Sequence, residues 1–154
     1  MNAPLADLPT GLAAIVAALA AALPGGVNVV RAGGPFDVAE VRRHAMNAPA
    51  VVVACLGLTN YTRRGETWSV MGQLAAYVVT HDQSGAALRD VAALGLVDQL
   101  LRVVARNTWG LPEGFGVPDP ASVEAANLYS GDLDSVAVAL WALTWRQEFR
   151  VQSS

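Results

Sequence analysis

The chain has no lysine, one cysteine and two histidines, and charged residues fill only 15% of its 154 positions. Each shortage excludes something. A single cysteine rules out an intrachain disulfide and fits a reducing cytoplasm. Two histidines, one cysteine and no carboxylate cluster at ligand spacing leave no basis for a structural zinc site. The formal net charge of −3 gives no basic surface for nucleic acid. All ten basic residues are arginine, which suits planar, bidentate contacts; codon bias explains the same pattern more simply. No apolar run is long enough to cross a bilayer: Leu12–Leu23 stops at Pro24-Gly25-Gly26. That run also lacks the basic flank of a signal peptide, having Asp7 instead, so neither export nor membrane insertion is expected.

What the chain has in excess is apolar character, at 53% of residues. A core for one domain of this length needs less. Part of the surplus is alanine, which is cheaply exposed, and the remainder is assigned to a subunit interface. The chain is expected to form one domain over 1–154, with a loose arm at 1–8 and a short tail at 152–154.

Periodicity and turn signals order the elements. Thr10 is placed as the N-cap of a helix running to about Leu23. Its nearly all-apolar side chains call for cover on more than one side. Val27–Arg31 is a short strand closed by Gly33-Gly34-Pro35, and Asp37 caps a short helix, Val38–Ala45. Pro49–Leu58 is unbroken and β-branched, as in a strand buried on both faces. Thr59–Gly65 is placed as a polar loop. Glu66–Thr80 is a long strand with Trp68, Val70, Leu74, Ala76 and Val78 on one side. Ala86 to about Arg106 keeps helical spacing, with Asp98 and Arg102 paired on its outer face. Thr108–Pro120 is Gly- and Pro-rich loop. The last third is a hairpin: Val123–Tyr129, the turn Ser130-Gly131-Asp132-Leu133-Asp134, and the run Ser135–Val151 carrying Trp141 and Trp145 on one face. The fold class is α+β, a largely antiparallel sheet of about five strands packed by two main helices.

Candidate chemistry is sparse. Cys55, inside an apolar strand with no charge beside it in sequence, reads as inert core. His81-Asp82 lies at a strand end, but Ser84, Ser122 and Ser130 form no nucleophile elbow with it. Gly110, Gly114 and Gly116 open no helix and punctuate a loop. Asp132 and Asp134 suit turn geometry. Trp68, Trp141 and Trp145 are assigned to packing, and Trp109 to pinning the loop after the long helix against the hairpin, with a subunit contact as the alternative.

Asn127-Leu128-Tyr129-Ser130-Gly131, the run Ala139–Gln147 and the segment Asn107-Thr108-Trp109-Gly110 resemble the minor tail proteins of Mu-like phages and prophages. That family is related in fold to the tail terminators of lambda-type phages. The resemblance implies a virion protein assembled in the host cytoplasm. It implies a six-fold ring that caps the head-proximal end of the tail tube, stops tube growth and joins the tail to the head. Implied partners are further copies of the chain, the tail tube protein and the head–tail connector, with no cofactor, no metal and no direct nucleic-acid contact. Subunit or tube contacts are placed at Arg42, Arg43, Tyr61, Arg63, Arg64, Trp109, Arg146 and Arg150. A neck or head–tail adaptor is the alternative in the same class. A small cytoplasmic enzyme using His81 or Cys55 is the alternative from another.

Overall fold

Along the chain run α1 (Leu8–Ala22), β1 (Asn28–Arg31), α2 (Val38–Ala45), β2 (Ala50–Arg64), β3 (Thr67–His81), α3 (Ala86–Val104), β4 (Glu124–Asn127) and β5 (Val138–Gln152). This is the order expected from the sequence, with one 3₁₀ turn at Pro120–Ser122 added before β4. The computed structural model describes residues 3–32, 36–81, 86–128 and 138–153. The turn expected at Ser130–Asp134, the Gly33-Gly34-Pro35 break and the segment Asp82–Gly85 lie outside the described residues.

The strands form one sheet in the order β1-β2-β3-β5-β4. Only β1–β2 is parallel, joined through α2; every other pairing is antiparallel. This is an α+β fold with a five-stranded sheet. Period-two alternation sorts the strand residues between the two faces. Val70, Leu74, Ala76 and Val78 of β3 and Leu143, Trp145 and Phe149 of β5 point to the side covered by α1 and α3. There they meet Leu12, Ile15 and Leu19 of α1 and Leu96, Val97, Leu100 and Val104 of α3. Burying each large side chain contributes about 1.5–3 kcal/mol, so this layer supplies most of the apolar stabilisation. The opposite face carries a smaller cluster of Val41, Ala50, Val79, Val138 and Leu140 beneath α2, where Phe36 stacks on Tyr77 with ring centroids 4.1 Å apart.

Several local expectations are corrected. The N-cap of α1 is Asp7, whose carboxylate accepts from the Thr10 N–H at 2.8 Å, with Pro9 inside the first turn where no N–H is needed. The helix is buried along one side only, through Gly11, Leu12, Ile15 and Leu19. Its other side exposes alanines, whose methyl groups make that tolerable. The arm expected at 1–8 is held in place from Leu5 onward. Leu5 is buried, donates to the Arg150 carbonyl and accepts from the Gln152 N–H, both at 2.8 Å. The tail expected at 152–154 is likewise held, with Gln152 opposite Thr67 and the Ser153 N–H on the Glu66 carbonyl at 2.7 Å.

The largest correction concerns β2. It is buried from Ala50 to Val53 and exposed from Cys55 on, because β1 stops at Arg31, opposite Val53. It also runs on to Arg64, so Thr59–Gly65 is mostly strand. Its irregular register and the positive φ at Asn60 and Gly65 bend a long hairpin away from the core. Trp68 lies on that hairpin beyond the helices and is exposed. Its parity is the expected one; there is no core left at that height for it to enter.

The loop from 105 to 119 is fixed by a single buried side chain, Gln147 of β5. Its Oε1 accepts from the indole N–H of Trp109 at 2.9 Å and of Trp145 at 3.1 Å. Its Nε2 donates to the carbonyls of Asn107 and Gly116, both at 2.8 Å. The amide's two acceptor positions and two donors are all used. Trp109 is thus buried and pins the loop to the hairpin, as expected from sequence. Gln147→Leu strands two indole N–H groups and two carbonyls, each costing about 1–3 kcal/mol. The variant should lose at least about 3 kcal/mol in denaturant unfolding; a loss below about 1 kcal/mol would show that the loop is held by other contacts.

Candidate assembly surfaces

The far end of the β2–β3 hairpin collects the residue types that dominate protein–protein contacts, Trp, Tyr and Arg. Tyr61 is 59% exposed and Trp68 37% exposed. Their rings meet edge to face at 6.1 Å, and the Arg63 guanidinium sits 5.6 Å from the Trp68 ring centroid. Strand pairing explains the cluster: Arg63 lies directly opposite Trp68, while the Arg64–Thr67 pair faces the other side of the hairpin. The Arg63 Nε–H also donates to the Gly65 carbonyl at 3.1 Å, which fixes the guanidinium before any partner arrives.

Further down, an apolar groove of about 350 Å³ opens between the start of α1 (Leu8, Pro9, Leu12) and the Cys55–Leu58 segment of β2, with Arg31 at its rim. Cys55 faces this groove and is exposed, which corrects its assignment to the core. The sequence shows an apolar run but not that β1 ends beside Val53. A second apolar surface lies on α3, where Val91 is 66% and Leu94 48% exposed, and Leu101 borders the same depression beside Asp98.

The other arginines flagged in the sequence lie elsewhere. Arg146 pairs with Asp119 at 3.1 Å, clamping the 3₁₀ turn to β5. Arg150 binds Glu148 at 2.8 Å and donates to the Pro112 carbonyl at 3.2 Å, clamping the preceding loop. Arg43 is exposed beside Glu40 at 3.4 Å, and Arg42 is exposed on the same helix. Of the flagged set, Tyr61 and Arg63 come together at the tip, while Arg64 faces the other side of the hairpin, where it and Arg150 both act on Glu148. Glu148, Ser69 and Arg150 form a second polar cluster on the open face of the sheet. There, burial pushes the Glu148 carboxyl up, but the Ser69 hydroxyl and the Arg150 guanidinium outweigh it and hold the carboxyl below its ordinary value.

Cys55 and His81 do not come together. Cys55 lies opposite Leu74 and His81 opposite Val138, so seven strand residues, about 23 Å, separate them. Among the described residues there is no group of three metal-binding side chains, and no helix is long and apolar enough to cross a membrane. The surface offers contact residues on a long hairpin and two apolar patches, the equipment of a protein that assembles.

The family agrees with that class. The chain matches the bacteriophage Mu Gp37 family over residues 6–150 and belongs to it. It is a Mu-like phage protein, and membership points to a structural component of the virion rather than to an enzyme. Among curated proteins, none matches the chain.

Two outcomes follow. Because the tip side chains are exposed, Arg63→Glu/Arg64→Glu should unfold within about 0.5 kcal/mol of the parent; a larger loss would mean that the tip is part of the fold. Because the folded state lowers the Glu148 pKa, its stabilising effect is full above the ordinary value of 4.5 and is lost as pH falls through the folded value. Glu148→Gln should therefore narrow the stability difference between neutral pH and a pH of about 3, measured by urea midpoint. An unchanged difference would remove Glu148 from the acid sensitivity.

Proposed function

We propose that the chain is the tail terminator of a Mu-like phage: copies form a ring, six-fold as in the lambda-type tail terminators, on the head-proximal end of the tail tube. The ring stops tube polymerisation and presents a surface to the head–tail connector. The observation that supports this reading best is the match to the bacteriophage Mu Gp37 family over residues 6–150. A ring of this kind needs a rigid body, two unlike faces and heterologous contacts that close. The three long antiparallel strands supply the rigidity. The hairpin tip, with its prearranged Tyr61–Trp68–Arg63 cluster, supplies an anchor for a neighbouring subunit or the tube. Low overall charge keeps unpaired ions out of such contacts.

The test is tail morphology in a phage lacking this gene, seen by negative-stain electron microscopy. Overlong, headless tubes are the expected result. Normal-length tails lying free beside filled heads would make the protein a neck adaptor instead, and intact virions would sink both readings. In the complemented phage, Arg63→Glu/Arg64→Glu should abolish ring or tube assembly although the protein folds. Wild-type assembly in that variant would remove the tip from the interface.

A further inference from the structure

Among the described residues the sheet has an open stretch at each edge, and the two stretches match. On one side, β1 covers β2 only from Ala50 to Val53. The last described hydrogen bond on that edge runs from the Ala32 N–H to the Val53 carbonyl at 2.8 Å. Backbone groups alternate in direction along a strand, so the N–H and C=O of Cys55 also point outward, and no described strand takes them up. On the other side is β4. The Leu128 N–H donates to the Leu140 carbonyl at 2.9 Å. By the same alternation Ala126 and Glu124 bond to β5, while the N–H and C=O of Ala125 point away from the sheet.

Each open edge is flanked, on the helical side of the sheet, by exposed apolar surface. Beside β2 lies the groove between α1 and Cys55–Leu58. Beside β4 lies the apolar flank of α3. Asp90 of α3 accepts from Asn127 of β4 and from Trp141, at 3.3 and 2.9 Å, which turns that side of the helix toward β4. Leu94 and Leu101 lie within about 40° of Asp90 around the helix, so their exposed side chains continue the same edge. Gly95 lines the depression beside Leu94 and Leu101 but lies about 140° around the helix from Asp90, next to Val91, with open space beside its Cα.

The charges are complementary as well. Arg31 at the groove and Arg63 on the hairpin have no carboxylate partner among the described residues, and Glu124 on β4 has no cationic one. An unpaired, partly apolar strand edge is normally blunted or covered. Here one edge carries what the other lacks.

We infer that the β4 edge of one copy, with the α3 flank behind it, adds onto the free edge of β2 beyond Val53 in the next copy, seating Leu94 and Leu101 against the groove. The contact is heterologous, so it propagates around a ring instead of stopping at a dimer. β4 and β2 run in opposite directions within the subunit. Copies related by an axis along the strands therefore meet through antiparallel addition, with α1 and α3 of every copy on the same side. This inference rests on the reading of the chain as a ring-forming subunit, and it names the surfaces that close the ring.

Cys55 provides the reporter, because it is the chain's one cysteine and its side chain lies on the helical side, like that of Ala125. Cysteines directly opposite each other on neighbouring strands lie within bridging distance. Ala125→Cys protein is oxidised both as purified subunit and within phage particles. The expected product is a ladder of linked multimers ending in one closed species. Mass spectrometry should identify its cross-link as a disulfide between Cys55 of one copy and the cysteine introduced on β4 of the next. The parent, and Cys55→Ser in the Ala125→Cys background, each have one cysteine and should stop at dimers. Adding Leu58→Glu should cut the ladder at least about tenfold while circular dichroism remains native. Absence of that intersubunit disulfide from both subunit and particles, with the protein folded, overturns the inference. Overlong tails on gene deletion without the disulfide would keep the terminator reading and discard these edges. The disulfide without overlong tails would keep the ring contact and discard the terminator.

Discussion

The Gln147 amide is the interaction on which the rest of the molecule depends. A neutral side chain buried in the layer between sheet and helices is costly unless every polar atom is used. Here two tryptophans and two loop carbonyls use all four positions. The consequence is geometric. Gln147 lies between Trp145 and Phe149 on the helical side of β5, so it ties the exit of α3 and the loop behind it to the middle of the longest strand pair. Asn107 completes the arrangement: its Oδ1 takes the Trp109 N–H at 2.7 Å, and its Nδ2 reaches back to the Val103 carbonyl at 2.9 Å. The chain can then turn through Arg106, Trp109 and Gly110, all at positive φ, without leaving the helix end open.

Around that anchor the chain ends are drawn in. Leu5 bridges to β5 beside the loop, and Phe115 stacks edge to face on Phe149 with centroids 5.0 Å apart. Gly72 lies under the same ring, where an added Cβ would stand 2.7 Å from Phe149. The N-terminal segment, the loop after α3 and the last strand thus close over one aromatic pair. This leaves the distal half of β2 as the long element that nothing in the described subunit covers. Rigidity at the base and exposure at the tip come from the same packing.

Much of this was legible in the sequence. The order and type of every element follow from period, caps and turn residues, because Asp37, Pro24-Gly25-Gly26 and the Gly/Pro-rich loop act locally. The pinning role of Trp109 was legible from its place after the long helix. What sequence could not show is where cover stops. Pro49–Leu58 has the pattern of a doubly buried strand, yet burial depends on the length of β1, a neighbour distant in sequence. Cys55 and Trp68 were misplaced for that one reason, and the loop assigned to Thr59–Gly65 came from polarity that an exposed hairpin shares. Gln147 gave no signal of its own: a glutamine between Arg146 and Glu148 looks like part of a solvated strand end until the register places it beneath two indoles. Arg146 and Arg150 were flagged as contact residues from the same polar pattern, and the structure shows each engaged with its own loop.

The low charge content then acquires a specific meaning. Of the described arginines on the last strand and its surroundings, Arg146 and Arg150 are satisfied internally, and Arg102 pairs with Asp98 along α3. Arg31, Arg42, Arg63, Arg64 and Arg106 make no salt bridge among the described residues; of these Arg31 and Arg63 stand on the β1–β2 side of the sheet, and Glu124, also without one, stands on the β4 side. A monomer that only had to remain soluble would gain nothing from placing spare charges of opposite sign at opposite edges, each beside exposed leucines and an open strand. Such edges invite uncontrolled pairing unless a partner of matching shape and sign is always present. In the proposed ring, a subunit whose partner is the next copy of itself would meet that condition, and the asymmetry between its two edges would let the contact propagate in one direction until the ring closes.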